Sequence, residues 1–334
     1  MKKVSVVIPV KNEEKIVGSL LSSLLNQNYN GWYEIIVVDD HSTDNTIDII
    51  KTFIKTSKKV KYFKSNGIGP AAARNIGIKK SKGEIVLFTD GDCIVPKDWV
   101  SRISKHFDSE QTSGIGGKTE PFETNTFVSR LNDAIFSYRY ANTSRGDVNV
   151  VYTSNAAFRK DILMKINGFD KNFNKANGED LDLCYRVLDA SGKIVFDPNI
   201  SVKHEYPSSF RKFMKKEFMN GVWSGSFMYL KHFTKLFKDK IILPSLLQIF
   251  LLIGLISYFL LSNFLSLTQI FLLSLALTAI NVRLFYYIYK NQKNLIFLLF
   301  SILMRYLSIF IWIVGGIYGV FKFFNFYLVR HLSD

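Results

Sequence analysis

Ile85-Val86-Leu87-Phe88-Thr89-Asp90-Gly91-Asp92-Cys93 decides the reading of this chain. Its first four residues have the length and composition of a buried parallel strand, so Asp90 and Asp92 emerge at the strand's carboxyl end. That is the edge at which open α/β sheets bind ligands. Gly91 lets the backbone turn sharply, and the i, i+2 spacing can aim two carboxylates at one hard divalent cation carrying a phosphate. Taken alone, the tripeptide is equally an ordinary polar turn.

The preceding sequence repeats a strand, loop and helix pattern. Val4 to Val10 is β-branched and apolar, and Ile16, Leu20, Leu21, Leu24 and Leu25 follow at helical spacing. This start is a first strand and not a signal peptide, because Pro9, Lys11, Glu13 and Glu14 interrupt the apolar run. Tyr33 to Val38 ends in Asp39-Asp40-His41-Ser42-Thr43-Asp44, and Ile47, Ile50 and Ile54 mark a second helix. Val60 to Phe63 is a weaker strand, and Ala71 to Lys80 a helix. The alternation predicts a parallel sheet with right-handed crossovers. Asp39 or Asp40 can accept hydrogen bonds from a base or ribose, while Ser42, Thr43 or Asp44 caps the next helix. Gly67-Ile68-Gly69 lacks the third glycine of a dinucleotide fingerprint, so the small-residue helix behind it is expected to present Arg74 to a diphosphate.

Beyond the acidic pair, Asp98 to Phe107 reads as a helix and Gly114 to Lys118 as a strand end. Thr119 to Val148 is irregular, with a helix suggested over 126–140. Thr153-Ser154-Asn155 ends a strand with small polar groups. Glu179 and Asp180 open a helix whose face carries Leu181, Cys184, Tyr185 and Leu188. Acids in a first turn suit the helix dipole, and a carboxylate held there can also face a cleft as a general base.

Together Val6 to Glu13, Val38 to Asp44, Ala73-Arg74-Asn75-Ile76-Gly77, Asp90-Gly91-Asp92, Gly168-Phe169-Asp170 and Glu179 to Arg186 resemble the family 2 glycosyltransferases over roughly residues 3–220. The resemblance implies a GT-A fold, a Rossmann-like and mostly parallel α/β sheet. It implies that Asp39 and Asp40 contact the nucleoside of a sugar nucleotide, that Asp90 and Asp92 hold Mg²⁺ or Mn²⁺, and that Asp180 is the catalytic base of an inverting, hexosyltransferase-type displacement. Pro9, Asn12, Glu13, Arg74, Asn155, Glu179 and His204 are then expected around the donor, with His204 also near the metal. The Gln-x-x-Arg-Trp motif of processive synthases does not occur, which favours addition of a single sugar. A polyprenyl-phosphate sugar synthase is the alternative enzyme, and an inactive membrane scaffold the alternative outside enzymes.

The composition changes along the chain. The net charge is +15, yet residues 201–240 alone hold nine Lys or Arg against three acids, and residues 241–334 hold a single acid, Asp334. A basic band before an apolar region suits anionic headgroups and a cytoplasmic catalytic domain, and no nucleic-acid module is present. The sequence therefore predicts a catalytic domain over 1–205 and amphipathic interfacial helices over 206–240. A multi-pass transmembrane region over 241–334 follows, with segments 241–261, 264–289 and 295–321. A third full crossing would put Lys322 and Arg330 outside, so a re-entrant hairpin is the alternative there. Arg305 within it is a candidate partner for a polyprenyl phosphate. The partners expected are a nucleotide-sugar donor, a polyprenyl-linked acceptor and membrane lipids. Cys93 and Cys184 make no disulfide framework and are expected to pack as small apolar residues.

Overall fold

The computed structural model describes residues 1–223 and 267–331 apart from positions 68, 142, 174, 176 and 191. The chain divides into two compact units, Met1–Glu123 with Arg139–Tyr206, and Thr124–Tyr138 with the chain from Pro207 onward. In chain order the first unit contains β1 (Val4–Val10), α1 (Val17–Leu25), β2 (Tyr33–Asp39), α2 (Thr46–Thr56), β3 (Val60–Lys64), α3 (Pro70–Lys80), β4 (Ile85–Phe88), β5 (Cys93–Ile94), α4 (Trp99–Lys105) and β6 (Thr112–Pro121). After α5 (Phe127–Ala141) come β7 (Gly146–Asp147), β8 (Ala156–Arg159), α6 (Lys160–Lys165), α7 (Glu179–Asp189) and β9 (Lys193–His204).

The strands form one sheet in the order β3-β2-β1-β4-β8-β6-β9-β5, with β7 against β9. The first four are parallel and β8 runs antiparallel to β4 and β6. β1 and β2 are buried at every position, as strands covered on two faces must be. Their polar members are satisfied: Ser5 Oγ donates to Glu34 Oε1 at 2.7 Å, and Lys82 N reaches the same oxygen at 2.6 Å. Pro9 also fits the ladder. Val4 N and Val10 O bond towards β2 while Lys3 O accepts from Ile85 N, so alternation turns Pro9 towards β4, whose pairing with β1 ends at Val7. Its missing donor therefore breaks no bond. The parallel strands all deliver their carboxyl ends to one edge. The β5–β9 pairing, Cys93 opposite His204, brings the end of β9 to the turn that follows β4.

The second unit is helical among its described residues: α5, α8 (Phe210–Val222), α9 (Leu267–Gln292) and α10 (Leu295–His331). The helix suggested over 126–140 forms because Val128, Leu131, Ala134, Ile135 and Tyr138 fall on one face, which packs with Phe213, Met214, Phe285 and Phe297. Arg130 donates to Gln292 at 2.6 Å and lies over the Phe297 ring. One sequence expectation changes here. α10 runs unbroken for 37 residues, so the re-entrant hairpin offered as the alternative for 295–321 does not form. Its glycines instead admit α8: a Cβ on Gly221 would meet Trp312 O at 1.9 Å, and one on Gly315 would meet Phe218 O at 2.2 Å. α8 buries Phe213 and Met214 within its own unit and leaves Phe210, Arg211, Lys212 and Lys215 exposed.

Among the described residues one stretch, Leu295–Phe323, is long and apolar enough to cross a membrane, so a multi-pass region is not supported among them. Of the other expected segments, 241–261 lies outside the described residues, and 264–289 falls mostly on α9.

Candidate active site

The turn after β4 is as tight as its glycine suggests. Cys93 N donates to Asp90 O at 3.2 Å, and a Cβ on Gly91 would sit 2.8 Å from Glu13 Cγ. Asp92 O accepts from Glu205 N, and Asp92 Oδ1 lies 3.3 Å from His204 Nε2. One ligand atom each from Asp92, Cys93 and His204 falls within 4.8 Å of the others. The carboxyls of Asp90 and Asp92 remain about a quarter exposed, with 27% of each side chain accessible. Glu13 stands beside them. Burial, reinforced by the charges of Asp92, Glu205 and Asp90, pushes its carboxyl up to about 8. Such convergence of carboxylates with an imidazole is a donor set that suits a divalent cation.

Arg74 departs from the expectation that it faces a diphosphate. It is only 2% exposed, with Nη2 2.6 Å from Asp90 Oδ1 and Nη1 2.9 Å from Glu179 Oε1, and its guanidinium stands 5.5 Å from the Phe169 ring centroid. A single cation thus ties the first aspartate of the pair to the start of α7. The next residue, Asn75, exchanges two 2.8 Å hydrogen bonds with the Phe169 backbone, fixing the Gly168-Phe169-Asp170 turn to α3.

At the α7 start, Asp180 takes hydrogen bonds on both carboxyl oxygens from one residue: Thr153 Oγ1 donates to Oδ1 at 2.6 Å and Thr153 N to Oδ2 at 3.2 Å. Burial raises the carboxyls of Glu179 and Asp180, and the Arg74 guanidinium opposes that rise in each. Asp182 is different. It is fully buried against Arg186 one turn on, a pairing that serves the helix.

Asp39 is fully buried; Oδ1 accepts from Ser42 N at 3.1 Å, and Oδ2 has no hydrogen-bond partner among the described residues. Its neighbour Asp40 is occupied by the fold. It accepts from the Ser65 hydroxyl and from Gly69 N at 3.1 Å, and Lys11 Nζ lies 3.8 Å away. Gly69 adopts φ 100°, a left-handed conformation that brings its N–H to Asp40 as α3 begins. Asn12 ties loop to loop: its Oδ1 accepts from Thr43 N at 2.7 Å and its N donates to Ser42 Oγ at 3.0 Å. Asn155, expected beside substrate, is wholly interior. Its amide donates to Lys118 O and Ile200 O and accepts from Trp99 Nε1, joining β6, β9 and α4. The geometry therefore brings Glu13, Asp90, Asp92, His204, Arg74, Glu179 and Asp180 into one acidic neighbourhood, and gives Pro9, Asn12, Asp40 and Asn155 internal tasks. Thr153 and Cys93 join the site without a motif to announce them. Their partners, Asp180 and His204, lie far along the chain.

The mostly parallel mixed sheet is that of a GT-A-like α/β domain. In comparison with solved structures, the chain superposes on a mannosyltransferase of Pyrobaculum calidifontis bound to GDP-Man and Mn²⁺, with a TM-score of 0.66 at 18% identity over 95% of this chain and 87% of that one. It superposes on GalNAc-T7 with UDP, GalNAc and Mn²⁺ with a TM-score of 0.52 at 18% identity over 62% of this chain and 43% of that one. Residues 5–166 match the profile described as glycosyl transferase family 2, a match that supports a family 2 glycosyltransferase. Among its relatives, the glycosyltransferase AglE of Haloferax volcanii is 29% identical over 65% of this chain and 71% of its own length. The poly(ribitol-phosphate) β-N-acetylglucosaminyltransferase TarS of Staphylococcus aureus is 34% identical over 40% of this chain, which spans only 26% of TarS.

Proposed function

We propose that the protein is a metal-dependent, inverting glycosyltransferase that moves one sugar from a nucleotide-sugar donor to a lipid-linked acceptor at the cytoplasmic face of a membrane. The observation that carries this reading is the linked set Asp90–Arg74–Glu179–Asp180, which fixes a candidate base relative to a candidate cation site. Asp90, Asp92 and His204 would hold Mg²⁺ or Mn²⁺, and such an ion supplies charge neutralisation to a leaving diphosphate. Asp39 offers its Oδ2, which has no partner among the described residues, to a donor group of the base or ribose, a pairing that a buried carboxylate oxygen needs. Asp180, oriented by Thr153, accepts the proton of the acceptor hydroxyl as that oxygen attacks the anomeric carbon from the face opposite the diphosphate. One displacement inverts the centre. The lipid-linked acceptor and the membrane face are supported by the Leu295–Phe323 helix and by the excess of basic residues in 201–240.

Asp92→Asn and Asp180→Asn are each expected to abolish sugar transfer while leaving a cooperative thermal transition near that of the wild type. Wild-type transfer rates in both variants would overturn the assignment.

A further inference from the structure

We propose that Asp92, Cys93 and His204 form a mixed oxygen, sulfur and nitrogen ligand set that takes a thiophilic divalent ion, of the Zn²⁺, Co²⁺ or Cd²⁺ class, at the edge of the acidic site. The sheet builds this set. β5 and β9 are antiparallel with Cys93 directly opposite His204, and directly opposed residues project to the same face. Cys93 Sγ lies 3.9 Å from Asp92 Oδ1, which is itself 3.3 Å from His204 Nε2, and the three donor atoms fall within 4.8 Å of one another. A tetrahedral site with bonds of about 2.0 to 2.3 Å places its ligand atoms about 3.3 to 3.8 Å apart, so the set needs only a small contraction.

Access and chemistry agree with this. Cys93 is fully buried, while the side chains of Asp92 and His204 keep 27% and 21% of their surface open to solvent, from which an ion can enter. Thiolate selects soft ions, whereas a carboxylate-only pair favours Mg²⁺ and Mn²⁺. On binding, the Cys93 S–H bond breaks, its proton leaves to solvent and a sulfur–metal bond forms, with no change of oxidation state. The inference uses the carboxylate site of the proposed reaction but not the reaction itself. Because Asp92 and His204 are shared, a thiophilic ion excludes the proposed Mg²⁺ or Mn²⁺.

Cobalt is the probe. Titrating Co²⁺ into the full chain in detergent micelles is expected to produce a saturating near-ultraviolet sulfur-to-cobalt charge-transfer band. The band is lost in Cys93→Ser and kept in Cys184→Ser, and His204→Ala weakens Co²⁺ binding at least about tenfold. Cobalt binding without the band, or a band that persists in Cys93→Ser, overturns the proposal. Should Cys93→Ser fail to fold, ¹¹³Cd resonance of the wild-type protein decides: a shift in the sulfur-ligated range supports the set, and one in the oxygen and nitrogen range sinks it. An intact band with cobalt, in a protein that transfers no sugar when supplied with Mg²⁺ or Mn²⁺ and no cobalt, would refute the glycosyltransferase reading and leave this one standing.

Discussion

Thr153 is the residue whose role no motif announced. It donates to both oxygens of Asp180 from a position 27 residues earlier. Thr153→Val keeps the shape and removes the hydroxyl, so kcat should fall at least about tenfold with little change in donor KM and with a displaced pH–rate profile, because a hydrogen bond to the carboxylate form sets its basicity. Thr153→Ser should restore most of the rate; an unmoved profile in the valine variant would refute the role. Arg74 makes the opposite case. Its helix was legible and its target was not, because Glu179 lies 105 residues away. Arg74→Met leaves the acids beside it buried without a counter-charge, and thermal unfolding of the full chain should show a loss of about 3 to 5 kcal/mol. Glu13 carries a pH dependence. Its folded carboxyl is raised from 4.5 to about 8, so the folded protein binds a proton that the unfolded chain has lost, and stability falls as pH rises between those values. With chelator present, Glu13→Gln should flatten the decline of Tm across that window, whereas parallel curves for variant and wild type would count against it.

At the scale of elements, apolar runs made β1, β2 and β4 readable, since a strand covered on two faces needs little more than β-branched residues between turns. β6, β8 and β9 were harder. β6 carries Gly114, Gly116 and Gly117, and β9 is interrupted by Asp197-Pro198-Asn199, so neither shows the composition of a strand until its partners supply the ladder. The crossing of α8 with α10 was invisible for another reason. Glycines in an apolar helix mark close approach without naming the partner. Gly315→Leu should destabilise the full chain by at least about 1 to 3 kcal/mol, read from its thermal transition, because the added side chain has only the α8 backbone to enter. An unchanged transition would mean that the helices separate without penalty.

For the whole molecule, the change of composition after residue 240 was plain in the sequence, but the number of crossings was not, since hydropathy cannot tell a packed helix from a lipid-facing one. α10 leaves Leu299, Leu303, Phe310 and Ile317 exposed along one side. If lipid covers that side, Phe310→Lys with Ile317→Lys should move the protein from the alkali-resistant membrane fraction to the extractable one; retention of the double variant would argue for another covering. The two units also share their chain. Thr124–Tyr138 leaves the first unit to complete the second before the chain returns at Arg139, so three covalent junctions join them. Exchange of a catalytic unit between relatives by one recombination point near Tyr206 would therefore carry the wrong piece of the neighbouring bundle. Inheritance of the two units as separable modules requires the 124–138 helix to travel with the C-terminal half.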